Sequence, residues 1–551
     1  MHKKKISAVT KGTNPATHAR VNQAAQLLQK ALVLHQAGNL ADAAAIYQQI
    51  LVIDARHFEA LQFLGMIKRS TGALQEALDL LTLAASINPA NTIIHASLGN
   101  VLMDLERHAD AIVSYDRFLS ATPDFAEVLN NKANALSALG REAEAMACYE
   151  HVLRQQPDFS DAHFNRGNLY MDMRQYAQAL ADYEQVLRSH PGHFQSWNNR
   201  GNALLKLERL PEARQSYQQG LSIAPDNPEL HACLAHAYKI TGQLNEAVQH
   251  YAKVLELTTT GFPRQNAALQ LAILHYVFGS PANVDALLQV AKDMLGNALI
   301  KDKGSLIYCA FMLKIQLWWQ MYRQQAQNPP AQGTLYVIGE SHILSAHNLL
   351  VTYQGQHLQC KGLWIEGCTQ WQIGKVETNH YQQLMQQYLQ AVPVASSVLI
   401  SIGEIDCRID SGILKANKKS ASTSTTDAHN APNASNISLT QRVQDVIVAF
   451  LDFIVAHAQP RQLKLIISGV PAYLINENGY AADQLQEFGQ FLTLFNTGLK
   501  QQVAERGLDF LDMFTLTDGG GGKSNQQWHI DEHHLRPDAV IEAFSRHLLV
   551  P

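Results

Sequence analysis

Prolines stand at Pro89, Pro123, Pro157, Pro191 and Pro225, each 34 residues after the last. A fixed period of roughly 20 to 50 residues marks a chain built from stacked supersecondary units, and it constrains the fold more than any composition does. Alanines keep the same period at Ala77, Ala111, Ala145, Ala179, Ala213 and Ala247, and Ala43 extends it backwards. Tyrosines follow most of them four positions later, at Tyr47, Tyr115, Tyr149, Tyr183, Tyr217 and Tyr251. Small residues lie twelve positions before the alanines: Gly65, Gly99, Ala133, Gly167, Gly201 and Ala235. A small residue facing an alanine lets two antiparallel helices approach closely, and the tyrosine fills the space beside them. The proline ends the second helix, because it has no N–H to donate and disfavours helix in the residue before it. One such pair cannot bury its own apolar face, so the pairs must stack.

This pattern resembles the tetratricopeptide repeat (TPR) family. Seven units are expected, from near Ala24 to near Leu257. The first and last carry Ala55 and Thr259 in place of the proline, as terminal capping units do.

A second ladder runs inside the first. Asn100, Asn134, Asn168 and Asn202 recur every 34 residues, and Ser97, Asn131, Asn165 and Asn199 stand three residues earlier. A spacing of three puts both rows on one face of the first helix of each pair. In the family this resembles, that helix lines the concave surface. A similar asparagine ladder occurs in the repeat domain of the protein O-linked N-acetylglucosamine transferases, where it holds peptide. An amide side chain offers a donor and an acceptor, so the ladder suits an extended peptide backbone of any sequence. The other use of such asparagines is to cap turns or to bond one another between helices. A two-carboxylate clamp would need Lys and Arg on this face, and that arrangement is not seen.

Composition excludes several classes. Of 551 residues, 46% are hydrophobic and 17% charged, enough to build a core. The net charge of −5 gives no basic footprint for nucleic acid. No run of about 18 apolar residues occurs, so no helix is expected to span a membrane. Six cysteines without a C-x-x-C pair give neither a disulfide framework nor a zinc site, and the compartment is expected to be cytoplasmic. No cofactor and no metal are expected.

The expected organisation has five parts. Residues 1–23 are a flexible basic N-terminus, 24–260 the repeat array, 261–326 a helical cap, 327–333 a proline-containing linker and 334–551 an α/β domain. The cap is apolar at helical spacing, and its Trp318–Trp319 pair is expected in the core. In the last part, the short apolar runs TLYVI, GLWIE, SVLISI, LKLIIS and DFLDMF alternate with helical patterns, which predicts a parallel sheet covered on both faces. A low-complexity insertion falls at about 415–437.

The first strand ends in Gly339-Glu340-Ser341-His342, the third in Gly403-Glu404-Ile405-Asp406-Cys407-Arg408, and a late block reads Asp531-Glu532-His533-His534-Leu535. A serine after the first strand with a late D-x-x-H resembles the SGNH/GDSL hydrolases over about 334–549. That resemblance implies a three-layer α/β/α fold of flavodoxin-like type. It also implies Ser341 as nucleophile, His534 as general base and Asp531 as the residue that orients the imidazole. Gly367, with Gly374 behind it, would supply an oxyanion donor. The family's asparagine donor is replaced here by Ile405, and Glu340 replaces the usual Asp. Arg408 could serve an oxyanion or pair with Glu404 or Asp406 beside it. The other use of Ser341 is as a helix N-cap. Gly519 to Ser524 look like part of a phosphate loop, but Thr517 stands where its first glycine belongs.

Two functions are expected from this. One is a serine esterase or acyltransferase acting on an acyl ester, such as an O-acetylated glycan or glycoconjugate, with the repeat groove recruiting a protein. The other is a non-catalytic adaptor whose α/β domain is degenerate. The chemistry leans to the enzyme, and Ile405 leans to the adaptor.

Overall fold

The structure is a computed structural model that describes residues 15–279, 283–300, 302–325, 329–366, 368–402, 438–472, 481–520, 522–529, 534–546 and 549–550. Gly367, Glu404, Asp406, Arg408, Asp531 and the insertion at 415–437 lie outside these residues. The chain divides into two compact units, one ending at Leu207 and the other beginning at Glu208.

The first unit is a stack of helices: α1 (Pro15–Gln36), α2 (Leu40–Ile53), α3 (Phe58–Ser70), α4 (Leu74–Ile87), α5 (Ile93–Asp104), α6 (His108–Leu119), α7 (Ala126–Ala138), α8 (Glu142–Gln155), α9 (Ser160–Asp172), α10 (Tyr176–Ser189) and α11 (Phe194–Lys206). Helix α1 begins at Pro15, earlier than the apolar pattern at Ala24 suggests. Each odd-numbered helix from α3 onward also touches the next odd-numbered one, so the first helices of the pairs form one continuous surface. The periodic residues do what their sizes dictate. Ala77, Ala111, Ala145 and Ala179 are fully buried, as are Tyr115 and Tyr183. A Cβ on Gly99 would stand 2.3 Å from Tyr115 Cε1, and one on Gly167 would stand 2.8 Å from Tyr183 Cε1. Only glycine lets the tyrosine lie flat across its own helix pair there.

The turn inside each pair also repeats. Gly38, Gly72 and Gly140 have positive φ, and so do Glu106 and Arg174 in the same register. Glycine meets this left-handed step at little cost, and the other two residues are held there by the helices on either side.

The second unit opens with α12 (Leu210–Ile223), α13 (Pro228–Ile240) and α14 (Leu244–Leu257), which carry the repeat pattern to its end. Three further helices follow: α15 (Phe262–Phe278), α16 (Val284–Lys292) and α17 (Lys303–Gln325). Then come β1 (Gly333–Gly339), α18 (His342–Ala346), β2 (Leu350–Tyr353), β3 (Gln356–Trp364), α19 (Gln370–Ile373), α20 (His380–Ala391) and β4 (Ser397–Ser401). The chain closes with α21 (Leu439–Ala458), β5 (Lys464–Ser468), α22 (Ala482–Glu505), β6 (Asp509–Leu511), α23 (Met513–Thr517), α24 (Pro537–Ser545) and β7 (Leu549–Val550).

The sheet is mixed, with order β2-β3-β1-β4-β5-β6-β7. The five strands read from sequence pair in parallel, and the two edge strands, β2 and β7, are antiparallel. Taken alone, the parallel strands run in the doubly wound order 2-1-3-4-5, with its switch point between β1 and β4. Strand β2 forms a hairpin with β3 through Gln354 and Gly355, both at positive φ.

Side chains alternate between two cores. Leu335, Val337, Leu399, Ile466 and Leu511 face α15, α16, α17, α18 and α24. Ile338, Val398, Ile400, Leu465 and Ile467 face α20, α21 and α22. The helices after the repeats are therefore one covering layer of the sheet, and Trp318 and Trp319 pack against that core.

Candidate functional sites: the asparagine ladder and the end of the sheet

The ladder residues Asn100, Asn131, Asn134, Asn165, Asn168, Asn199 and Asn202 are all half-buried on α5, α7, α9 and α11. Their side chains bond to one another. Asn100 Oδ1 accepts from Tyr115 Oη at 2.8 Å and from Asn131 Nδ2 at 3.0 Å. Asn168 Oδ1 accepts from Tyr183 Oη at 2.8 Å and from Asn199 Nδ2 at 2.8 Å. Asn134 Oδ1 accepts from Tyr149 Oη at 2.5 Å. Asn165 departs from the pattern and reaches Asn130 Oδ1 at 3.1 Å. The inter-helix use of asparagine is thus present in the structure.

That use leaves half of each amide. Asn100, Asn134 and Asn168 give up their carbonyl oxygens and keep both amide hydrogens. Asn131, Asn165 and Asn199 give up an N–H and keep the oxygen. The result is a row of donors beside a row of acceptors at repeat spacing, the complement of an extended backbone. Burial raises the pKa of Tyr115, Tyr149 and Tyr183, so each hydroxyl stays a donor to its asparagine.

Between α3 and α5 the same surface opens into a cavity of about 360 Å³, lined by Met66, Arg69, Leu81, Ser97, Asn100 and Asp104 among others. Arg69 closes it on Asp104, with Nε 2.5 Å from Oδ2.

The second site is at the carboxyl end of the sheet, where doubly wound folds place their chemistry. A Cβ on Gly339 would lie 2.1 Å from Ser401 O, so the end of β1 tolerates only glycine against β4. Ser341 follows at the N-cap of α18, is buried, and makes no side-chain cap bond. Its reading as a capping serine therefore finds no hydrogen bond in the structure.

His534 is equally buried. Ser345 Oγ, one turn along α18, donates to Leu535 O at 2.6 Å and ties the residue after His534 to the helix that Ser341 begins. The His342 and His534 rings lie 6.1 Å apart. The imidazole of His534 stacks on Phe311 of α17 at 3.8 Å and 11°, with Tyr308 at 6.0 Å. Helix α17 thus covers one face of His534. This contact joins parts of the chain more than 200 residues apart and leaves no periodic signal in sequence.

Gly374 is not placed as a donor. Its N–H bonds Gln370 O at 2.9 Å, and a Cβ there would meet Ala449 Cβ at 2.8 Å, so this glycine serves helix packing.

Sequence reasoning missed an ion pair just past the end of β3, between a buried lysine and a half-buried glutamate. Lys239 of α13 meets Glu366, just past β3, at 2.6 Å and also donates to Gln270 at 2.6 Å. Its ammonium lies 5.1 Å from the Trp364 ring centroid. Burial works to raise the pKa of Glu366, but Lys239 and His236 together hold it below the usual carboxylate value.

The glycine loop is not a phosphate cradle. The N–H groups of Gly520 and Gly522 both bond Asp518 Oδ1, at 2.9 and 3.0 Å, so an anionic side chain already fills their place. Among the described residues, no cluster of three metal-ligating side chains occurs, and no helix is long and apolar enough to cross a membrane.

Tetratricopeptide repeat family models match residues 102–165, 164–228 and 216–249, and a bacterial transcriptional activator domain model matches residues 5–124. No curated protein matches the chain. Among solved structures it is similar to a tetratricopeptide repeat protein from Parabacteroides merdae at 16% identity, over 46% of this chain and 99% of that one, with a TM-score of 0.39. It is similar to Pseudomonas aeruginosa pilF at 22% identity, over 38% and 95%, with a TM-score of 0.34. YrrB, a TPR protein with an unusual peptide-binding site, is similar at 18% identity, over 35% and 97%, with a TM-score of 0.29. The periodic helix pairs of this chain are tetratricopeptide repeats.

Proposed function

We propose that this protein is a scaffold that captures an extended segment of a partner protein along the first helices of its repeats. The observation that carries this reading is the half-used ladder. Tyrosines and neighbouring asparagines take one side of each amide, and donors and acceptors remain in alternating rows. Such rows bind main chain, so affinity spreads over several repeats and sequence preference comes from pockets between them. The test is selection of peptides from a random display library on the full chain. A selected peptide is then titrated by fluorescence anisotropy against wild type and Asn131→Ala/Asn165→Ala/Asn199→Ala. Loss of three hydrogen bonds at about 1 kcal/mol each predicts roughly a hundredfold weaker binding. Unchanged affinity with intact helicity would refute the ladder as the binding surface.

A second reading keeps the α/β domain as an SGNH-type esterase or acyltransferase acting on an acyl ester or an O-acetylated glycan. Supporting it are the uncapped hydroxyl of Ser341 and the tether that brings the His534 segment onto the same short helix. Ser341 would attack the acyl carbon, His534 would take its proton and later pass it to the leaving alkoxide, and water or another hydroxyl would release the acyl group. Fluorophosphonate labelling that Ser341→Ala and His534→Ala both abolish is the expected result. Unlabelled, folded wild type would leave the scaffold function alone.

A further inference from the structure

The ladder has a gap at its start, and the gap is a pocket. Stepping back 34 residues from Asn131 and Asn134 gives Ser97 and Asn100, and one more step gives Phe63 and Met66. Serine is smaller than the asparagine that follows in three successive repeats, and the cavity of about 360 Å³ opens where that volume is missing. This is the low end of the roughly 300–1,000 Å³ found for small-ligand pockets, and it exceeds what backbone contact needs.

Its lining has a definite chemistry. Leu81 is fully buried at the floor, while Met66 leaves 41% of its surface exposed. Arg69 is held by two bonds to Asp104, which fixes the plane of its guanidinium and cancels its charge. Ser97 Oγ makes no hydrogen bond to a described residue, and Asn100 Nδ2 makes none either, its oxygen being already taken twice. A charged side chain would find no net counter-charge here. A purely aliphatic one would leave Ser97 and Asn100 without partners when it excluded water.

We infer that this cavity is an anchor subsite for a tyrosine side chain of the bound segment. A ring packs well on a methionine sulfur and under a fixed guanidinium plane. The phenol hydroxyl can accept from Asn100 Nδ2 and exchange a bond with Ser97 Oγ. Tyrosine is also among the residues that most often carry the binding energy of an interface. The inference rests on the groove reading above, and it adds which side chain the groove selects and where.

The test uses the full chain and a random dodecapeptide display library. Tyrosine is expected at one fixed position of the selected peptides. In anisotropy titrations, Tyr→Ala in the peptide is expected to weaken binding roughly thirtyfold or more. Tyr→Phe should weaken it roughly two- to tenfold. On the protein side, Ser97→Asn restores the residue that Asn131, Asn165 and Asn199 show to be compatible with a repeat, so folding is preserved while the cavity fills. This variant is expected to bind the same peptide's Tyr and Ala forms with nearly equal affinity. Selected peptides without a fixed tyrosine, or a tyrosine preference that survives Ser97→Asn, would overturn the inference and leave the groove standing. Failure to select any peptide would overturn both.

Discussion

Lowering the pH should destabilise the second unit through one buried histidine. His347, at the end of α18, is almost fully enclosed, and its Nδ1 accepts from Gly362 N at 3.0 Å. Burial first and Lys361 second push its pKa from 6.5 down to about 4, against a smaller opposing effect of the ring's hydrogen bond to the Tyr276 backbone carbonyl. The unfolded chain therefore binds this proton more readily than the folded one. Stability is unaffected above about 6.5 and declines as the pH falls from there towards 4. At about 1.4 kcal/mol for each tenfold change, the full interval corresponds to roughly 3 kcal/mol. Five of the six tryptophans, Trp318, Trp319, Trp364, Trp371 and Trp528, lie in this unit, so tryptophan fluorescence reports its unfolding. Urea titrations at pH 7.5 and 4.5 would be compared for wild type and His347→Gln. Glutamine can still accept from Gly362 but carries no titrating group. The wild type should lose about 2–3 kcal/mol more than the variant over that interval. Equal losses would refute the claim that His347 is buried neutral against β3.

Three further outcomes follow from the packing. Glu366→Ala leaves the buried Lys239 ammonium with Gln270 and the Trp364 ring but no counter-charge, and calorimetry should show the second unit destabilised by about 3 kcal/mol. Gly99→Ala forces Cβ into the Tyr115 ring, and a loss of about 1–3 kcal/mol is expected in the thermal unfolding of the first unit, whereas Gly192→Ala, with no neighbour within 4 Å, should cost little. Tyr183→Phe removes the bond to Asn168 and should cost about 1 kcal/mol in urea, with helicity by circular dichroism unchanged.

The repeats were legible because their period forces the same contacts in successive units. A proline, an alanine, a tyrosine and a glycine at fixed offsets say the same thing as the burial of Tyr115 and Tyr183. The five parallel strands were legible for a similar local reason, since each is a short apolar run ended by turn residues. The edge strands were not: β2 and β7 are four and two residues long and carry no such run. The partners of the ladder were hidden too. The asparagine rows could be read from spacing, but that Tyr149 spends its hydroxyl on Asn134 depends on a rotamer that the sequence does not encode. The end of the sheet shows the widest gap. Ser341 and His534 are marked by motif, while Phe311, Tyr308, Ser345 and Lys239 reach that region through tertiary contacts. Residues 261–326 were expected as a helical cap, and what the sequence did not show is that the apolar face of α17 packs on the sheet and on the His534 ring.

Capture of an extended protein segment by the first helices of the repeats would slow the exchange of their amides with solvent. Hydrogen exchange of the full chain with and without a peptide selected on it tests this most directly. Slowed exchange is expected to concentrate in α5, α7, α9 and α11, where the ladder stands. Slowed exchange confined to α4, α6, α8 and α10, or to the second unit, would contradict it.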